Sequence, residues 1–345
     1  MPNCPSDLFA SDNTAGICPE AWAALREANH GSAASYGDDD WSRRIRGQVR
    51  EIFETECESF LVFNGTAANS LALAQLCQPF HSVLCHERAH IETDECGAPE
   101  FFSGGAKLLR VGGANGKLDL AAAAEILAQH RDVHSTKVRA LSITQATEAG
   151  TVYSLEELDA LAAFARQHAL RVQMDGARFA NAVASLGCTP KELTWQRGVD
   201  VLAFGGTKNG LAAGELVVFF DRELAREFDF RVKQGAQLAS KTRFLAAPWT
   251  GLLANDVWLK NARHANEMAR RLEEKLRAAG ILELKFPRAA NTLFLHLPND
   301  IVEKMQARGW RFYKFLEPDV YRLMCSWATT PSDVEVFAAD FRAQM

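Results

Sequence analysis

Short apolar runs alternate with helical patterns through the first two thirds of the chain. Runs at 59–63, 82–85, 107–111, 138–144, 171–174, 199–204 and 215–220 predict buried strands. Helical periodicity predicts helices at 19–29, 43–53, 64–76, 119–130 and 154–168, with a possible short helix within 86–97. This alternation is typical of an α/β fold, in which helices cover both faces of a mostly parallel sheet.

Two capping boxes mark helix starts within this region. Ser154-Leu155-Glu156-Glu157 is the first, and Thr189-Pro190-Lys191-Glu192 is the second. The second also has proline at the first helical position, which that position tolerates because its N–H lacks an intrahelical acceptor. We therefore expect a helix to begin at each box.

The pattern changes beyond residue 238. A long charged helix is predicted at 255–279, half-buried strands at 291–297, 310–316 and 321–327, and a closing helix at 331–341. Residues 9–14 show no periodicity and predict an extended arm. We therefore expect a large α/β domain over 15–250 and a smaller α+β domain over 251–345, which also includes the N-terminal arm 1–14.

Composition narrows the classes of partner. The chain has 345 residues, 48% of them hydrophobic, and a net charge of −5 without a basic run. These values favour a large core and disfavour nucleic acid and membranes as partners. No secretory signal or membrane-spanning run is visible, and the eight cysteines form no CxxC pair. We expect a cytoplasmic protein with reduced thiols and no metal site.

Charged residues follow two of the predicted strands. Asp175 and Arg178 come after the strand at 171–174, and Lys208 lies in a glycine-containing loop after the strand at 199–204. One right-handed crossover brings both strand ends to the same sheet edge. An acid and a lysine placed there suit pyridoxal phosphate, because the lysine can form a Schiff base and the acid can pair with the pyridinium nitrogen.

Each residue also has an ordinary structural explanation. Lys208 would be a surface lysine, although the apolar strands on both sides of it favour burial and a lowered pKa. Asp175 would be a helix cap or the partner of a buried cation. Arg178 would form an ion pair with Asp175, or hold a phenolate oxygen or a substrate carboxylate with its planar guanidinium.

Three further positions complete the candidate site. Gly65 and Thr66 lie between a strand and a helix N-terminus, where free N–H groups favour phosphate, although many such turns bind nothing. His90 follows a strand and can stack on a pyridine ring or remain a surface histidine. Asp94 lies four residues later, on the same face if the segment is helical.

Taken together, six motifs resemble those of threonine aldolases, within the β-eliminating lyases of the pyridoxal-phosphate fold type I (aspartate aminotransferase-like) class. The resemblance spans nearly the whole chain in the expected order. The motifs are Phe9-Ala-Ser-Asp-Asn-Thr14, Tyr36-Gly-Asp38, Phe63-Asn-Gly-Thr-Ala-Ala-Asn69, Ala89-His-Ile-Glu-Thr-Asp-Glu-Cys-Gly97, Met174-Asp-Gly-Ala-Arg178 and Phe204-Gly-Gly-Thr-Lys-Asn-Gly210.

The resemblance implies a role for each position. Lys208 would carry the cofactor, Asp175 would pair with its ring nitrogen, His90 would stack on the ring, and Gly65 and Thr66 would bind its phosphate. The substrate carboxylate and its surroundings would be contacted by Ser11, Arg178, Arg322 and Tyr36. The family also implies a homotetramer built from two dimers, with sites at subunit interfaces and residues 233–237 near a neighbouring cofactor phosphate.

The implied reaction is the cleavage of L-threonine, L-allo-threonine and related β-hydroxy-α-amino acids such as phenylserine to glycine and an aldehyde. Another β-eliminating lyase or a racemase of the same fold is the alternative, and a cofactor-free binding protein is a more distant one. Many relatives carry a histidine in the motif after the strand that ends at Thr144, whereas this chain has Gln145-Ala146-Thr147-Glu148. We therefore expect His90 or His134, with Asp94 nearby, to act as the base.

Overall fold

The computed structural model of the protein describes residues 7–280 and 283–345. Residues 1–6 of the predicted arm lie outside the described residues. Within the rest of the arm, Asp12–Thr14 form a short 3₁₀ helix rather than an extended segment. The helices are α1 (Pro19–Ala28), α2 (Asp40–Phe53), α3 (Gly65–Leu76), α4 (His90–Thr93), α5 (Ala98–Phe102), α6 (Leu120–Gln129), α7 (Leu155–Gln167), α8 (Phe179–Leu186), α9 (Phe228–Gln234), α10 (Arg243–Leu253), α11 (Val257–Ala278), α12 (Asn299–Ala307) and α13 (Pro331–Arg342). The strands are β1 (Glu58–Val62), β2 (His81–His86), β3 (Lys107–Val111), β4 (Lys137–Thr144), β5 (Arg171–Gly176), β6 (Val201–Phe204), β7 (Glu215–Phe219), β8 (Thr292–His296), β9 (Tyr313–Leu316) and β10 (Val320–Met324).

A seven-stranded sheet forms the larger part of the fold, in the order β1-β7-β6-β5-β4-β2-β3. The pairs β3–β2, β2–β4, β4–β5 and β5–β6 are parallel, and only β7 and β1 run antiparallel to their neighbours. The mostly parallel sheet predicted from the alternation is confirmed. Its parallel strands bring the carboxyl ends of β4, β5 and β6 to one edge, where the site lies.

Local capping signals explain why several helices begin where they do. The side chain of Asn64 accepts a hydrogen bond from Ala67 N–H at 2.9 Å and starts α3. The box at Ser154 forms in both directions and starts α7, and a second box at Thr330 starts α13. These contacts depend on neighbouring residues alone, and for that reason sequence patterns locate them well.

The capping box at Thr189 does not start an α-helix, so that prediction was wrong. Glu192 accepts hydrogen bonds from the N–H and the hydroxyl of Thr189, as a box requires. However, Thr194 has φ −129° and ψ −107°, which interrupts a helix, and the Trp195 indole donates to the Phe53 carbonyl at 2.8 Å. Packing of this segment against α2 therefore outweighs the local signal.

A three-stranded antiparallel sheet, in the order β8-β10-β9, forms the smaller part with α11, α12 and α13. Phe9 from the N-terminal segment is fully buried in the core of this part, against Trp310 and Phe337. The domain boundary at residues 250 and 251 stays a prediction, and it falls inside α10. Helices α5, α8, α9, α10 and α12 were not recognised individually from the sequence.

The described residues, 7–280 and 283–345, were searched for membrane-spanning helices and for clusters of metal ligands. None of the helices there has both the length and the apolar character to cross a bilayer. In the same described ranges, no group of three or more histidine, cysteine or acidic side chains is arranged to hold a metal ion.

Candidate active site

Lys208 lies where three adjoining cavities meet. It follows β6 in a short 3₁₀ turn of residues Thr207–Asn209. The cavities have volumes of about 190, 620 and 50 Å³, and Lys208 and His90 line all three of them. A group attached to this lysine therefore has space on more than one side.

The loop that carries Lys208 packs directly on the loop after β5. A Cβ atom added at Gly205 would lie 2.6 Å from the carbonyl oxygen of Ala177, which is closer than real Cβ contacts allow. Gly205 N–H donates to the Gly176 carbonyl at 3.0 Å. The glycine thus lets the two strand ends approach each other, because it has no side chain in the way.

The surroundings of Lys208 destabilise its charged form. Burial, and then the positive charge of Arg178, lower the pKa of Lys208 below its ordinary value. The carboxylates of Asp12, Asp175 and Glu215 oppose that change. A neutral lysine is the form that attacks a carbonyl carbon, so the environment prepares Lys208 for covalent chemistry.

Asp175 is held in a fixed orientation at the end of β5. Its Oδ1 accepts from Ala177 N–H at 2.9 Å, and its Oδ2 accepts from the side-chain amide of Asn69 at 2.8 Å. Asn69 in turn accepts from Gln173 at 2.9 Å. This buried amide network keeps the carboxylate directed toward the cavity of about 190 Å³ that Asp175 lines.

His90 is oriented by a buried acid on the same segment. Its Nδ1 lies 2.9 Å from Oε1 of Glu95 and donates to it. This hydrogen bond raises the pKa of His90, although burial opposes the change. Glu95 also accepts from Asn69 at 2.9 Å, so His90 and Asp175 share one hydrogen-bond network.

The beginning of α3 can receive an anion. Asn64, Gly65 and Thr66 line the cavity of about 190 Å³ together with Lys208 and Asp175. Among the described residues, nothing accepts a hydrogen bond from the N–H groups of Gly65 and Thr66. These donors and the positive end of the helix dipole suit a phosphate group.

Arg178 pairs with an acid other than the one considered from the sequence. Its Nε and Nη2 donate to the carboxylate of Asp12 at 2.7 and 3.0 Å, so an ion pair with Asp175 does not form. Burial would raise the pKa of Asp12, but the charge and hydrogen bonds of Arg178 lower it below its ordinary value. One edge of the guanidinium is therefore occupied, and the remaining edge faces the cavities that Arg178 lines.

The largest cavity, of about 620 Å³, also contains Ser11, Asp94 and Arg322. Arg322 comes from β10 of the smaller sheet, and its Nη2 donates to the Ala10 carbonyl at 3.3 Å. Its Nε is buried and has no hydrogen-bond partner among the described residues. Burial, and then the charge of Arg178, lower the pKa of Arg322, so an anion between the two arginines would relieve their repulsion.

Glu148 lies in the loop after β4 and borders two of the cavities. Its Oε1 accepts from His90 N–H at 2.8 Å and from the Thr144 hydroxyl at 2.9 Å. Its Oε2 is buried and has no partner among the described residues. Burial, and then the negative charge of Asp175, raise the pKa of Glu148 to about 7.

Two residues predicted for the site lie elsewhere in the chain's own structure. His134 is exposed in the turn before β4, at the amino end of a strand whose carboxyl end reaches the site. One subunit by itself therefore does not bring His134 to Lys208, and its role as a base stays a prediction. Tyr36 is 52% exposed beneath Lys233 and borders a separate cavity of about 200 Å³, so one chain alone does not bring it to Lys208.

Sequence reasoning missed Asp12, Asn69, Glu95 and Glu148. Asp12, Asn69 and Glu95 belong to motifs that were recognised in the sequence. Each is a polar residue close to a residue that was given a role, and this proximity was the signal that could have found it. Glu148 stood in the segment noted for its missing histidine. Attention to the acid present there, rather than to the histidine absent, would have found it.

The chain is similar to known proteins over nearly its whole length. The family model described as "Beta-eliminating lyase" matches residues 8–299. The chain is 54% identical over 340 residues to the low specificity L-threonine aldolase of a Pseudomonas species, covering 99% of this chain and 98% of that protein. It is 55% identical over 337 residues to the protein of the same name from Pseudomonas aeruginosa, covering 98% and 97%. A solved structure of a Leishmania major threonine aldolase superposes with a TM-score of 0.92, at 27% identity and with 97% and 98% of the two chains covered.

Proposed function

Because the chain belongs to the threonine aldolases of the β-eliminating lyase family, we propose that it cleaves L-threonine to glycine and acetaldehyde. L-allo-threonine and other β-hydroxy-α-amino acids such as phenylserine are cleaved in the same way. One observation carries the proposal. Lys208 separates a cavity suited to a cofactor phosphate and ring from a cavity lined by two arginines, Arg178 and Arg322.

The residues present fit pyridoxal phosphate. Lys208 would attach it covalently, Asp175 would pair with its ring nitrogen, and Gly65 and Thr66 would hold its phosphate. The unpaired N–H groups at the start of α3 and the lowered pKa of Lys208 support this fit. When bound, the cofactor supplies an electron sink for the pair left at Cα.

The two arginines are suited to the substrate carboxylate. Arg322 lines the cavity of about 620 Å³, and Arg178 is held in place by the carboxylate of Asp12. Ser11 borders the same cavity and can add a hydroxyl donor. Fixing the carboxylate determines which bond to Cα stands perpendicular to the cofactor ring, and hence which bond breaks.

A direct assay tests the proposal. Purified protein supplied with pyridoxal phosphate is given L-threonine, L-allo-threonine or phenylserine, and glycine and the aldehyde are quantified by chromatography. We expect the two products in equal amounts from each substrate. Pyruvate and ammonia, or the D-amino acid, would instead identify an eliminase or a racemase.

Assembly and location are further proposals. We propose a homotetramer built from two dimers, in which Tyr36 and residues 233–237 of one subunit approach the site of its neighbour. The side chains of Tyr36, Phe63 and Phe230 are 52%, 57% and 71% exposed in the single chain. Exposed aromatic side chains of this kind support a surface that a neighbouring subunit covers. Sedimentation equilibrium that gave the mass of a monomer or of a dimer would contradict the proposed tetramer.

The free thiols of the described cysteines support the proposal of a cytoplasmic location.

A further inference from the structure

We infer that the carboxylate of Glu148 is the catalytic base that takes the proton of the substrate β-hydroxyl group. The inference rests on the proposed cleavage of β-hydroxy-α-amino acids. It assigns to this acid the role that the sequence had assigned to His90 or His134.

The position of Glu148 brings it to the substrate side of the site. It borders the cavity of about 620 Å³ together with Arg322, and the cavity of about 50 Å³ together with Asp175. Both cavities also contain Lys208 and Arg178. An amino acid held by the arginines and joined near Lys208 would therefore have Glu148 beside it.

The loop that carries Glu148 is held rigidly. The side chain of Gln145 makes two hydrogen bonds of 3.0 Å with the backbone of Tyr153, and the hydroxyl groups of Thr147 and Thr151 lie 2.8 Å apart. The Oε1 atom of Glu148 is fixed by two donors, whereas its Oε2 has none among the described residues. A buried carboxylate oxygen without a donor costs free energy. A substrate hydroxyl group that reached Oε2 on binding would supply the missing hydrogen bond.

The charges around Glu148 suit a base at neutral pH. The titratable or charged groups that face it are Asp175, Arg178, Tyr153 and Cys85, with His90 and Lys208 across the cavity. Burial and Asp175 raise the pKa of Glu148 to about 7. A pKa near the working pH gives an efficient base.

The proton transfer balances with bond cleavage. Glu148 takes the hydroxyl proton, and the electron pair of the O–H bond becomes the second C–O bond of the aldehyde. The Cα–Cβ bond breaks, its pair stays with Cα, and Cα then takes up one proton. One proton leaves the substrate and one returns to the glycine product, so the reaction consumes none.

His90 is better placed as an oriented neighbour than as this base. Its Nδ1 is committed to Glu95, and its backbone N–H holds Glu148. The hydrogen bond to Glu95 raises the pKa of His90 and fixes the orientation of its ring. His134 is exposed beyond the opposite end of β4.

The substitution Glu148→Gln tests the inference, because the amide oxygen can still accept from His90 and Thr144. We expect threonine cleavage to fall by about 10²–10⁴-fold. We expect exchange of the glycine α-proton with D₂O, followed by NMR, to stay within a few fold, because glycine has no β-hydroxyl group. The affinity for pyridoxal phosphate, measured by fluorescence titration, should not change.

The pH profile gives a second readout. The wild-type kcat/KM should fall as pH decreases through about 7, because Glu148 becomes protonated, and this limb should disappear in Glu148→Gln. In cofactor-free protein with ¹³C-labelled glutamate, one carboxyl resonance should titrate near 7 and be absent from the variant. Glu148→Asp, which keeps the carboxylate, should recover part of the activity.

Glu92→Gln is the matched control, since Glu92 belongs to the adjacent α4 and contacts Arg110. It should cleave threonine at the wild-type rate. Wild-type cleavage by Glu148→Gln, or equal losses of cleavage and glycine exchange, would overturn the inference. If the wild-type protein itself forms no glycine and aldehyde, the proposed function fails instead.

Discussion

Replacing Lys208 with alanine should reduce threonine cleavage by at least about 10⁴-fold, because the amine proposed to attach the cofactor covalently is lost. Lys208 lines both the cavity at the start of α3 and the cavity with the two arginines. Within the described residues, it is the lysine that lines all three cavities of the site. Burial, and then the charge of Arg178, lower the pKa of Lys208, as a Schiff-base lysine requires.

The covalent link itself can be measured. Wild-type protein incubated with pyridoxal phosphate and reduced with borohydride should carry the cofactor mass on the peptide that contains Lys208. Lys208→Ala and Lys208→Arg should carry none, although the arginine keeps the positive charge beside Asp12 and Asp175. Lys260→Ala, which changes an exposed lysine on α11, is the matched control and should be labelled normally. Labelling at another lysine in wild-type protein would show that Lys208 is misassigned.

Replacing Asp175 with asparagine should lower kcat by about 10²–10³-fold, the size expected when a preorganised charge at a reacting centre is removed. The carboxylate would no longer stabilise a protonated ring nitrogen, so the cofactor would withdraw electrons poorly. Asp175→Glu, which keeps the charge, should lose less. Both variants are compared with wild-type protein in single-turnover measurements after cofactor binding has been saturated.

The same substitution should also affect stability. An asparagine at 175 would place an amide donor opposite the amide donor of Asn69, which now gives a hydrogen bond of 2.8 Å to Asp175. We expect a loss of about 1–3 kcal/mol in urea unfolding, since a buried donor is left unpaired. Asp119→Asn is the control, because asparagine caps α6 as well as aspartate does. An unchanged kcat in Asp175→Asn would remove the ring-nitrogen role.

The sequence predicted well those features that depend on near neighbours. The strand ends at Asp175 and Lys208, the start of α3 at Gly65, the box at Ser154 and the start of the closing helix at 331 were all located correctly. Each depends on apolar periodicity or on a cap within a few residues. The capping box at Thr189 failed for the opposite reason, since a contact between Trp195 and Phe53 determines that segment.

Only the tertiary structure decided the partners within the site. Arg178 meets Asp12 across 166 positions, Asp175 meets Asn69 across 106, and Glu148 meets His90 across 58. The tertiary structure also placed His134 at the far end of β4, whereas the sequence alone allowed it as a candidate for the base. The chain by itself therefore determined which residues can do the chemistry, through local patterns at strand ends. Which side chains orient them and which acid can take a proton depended on contacts between distant segments, because such contacts arise from packing and leave no periodic signal in the sequence.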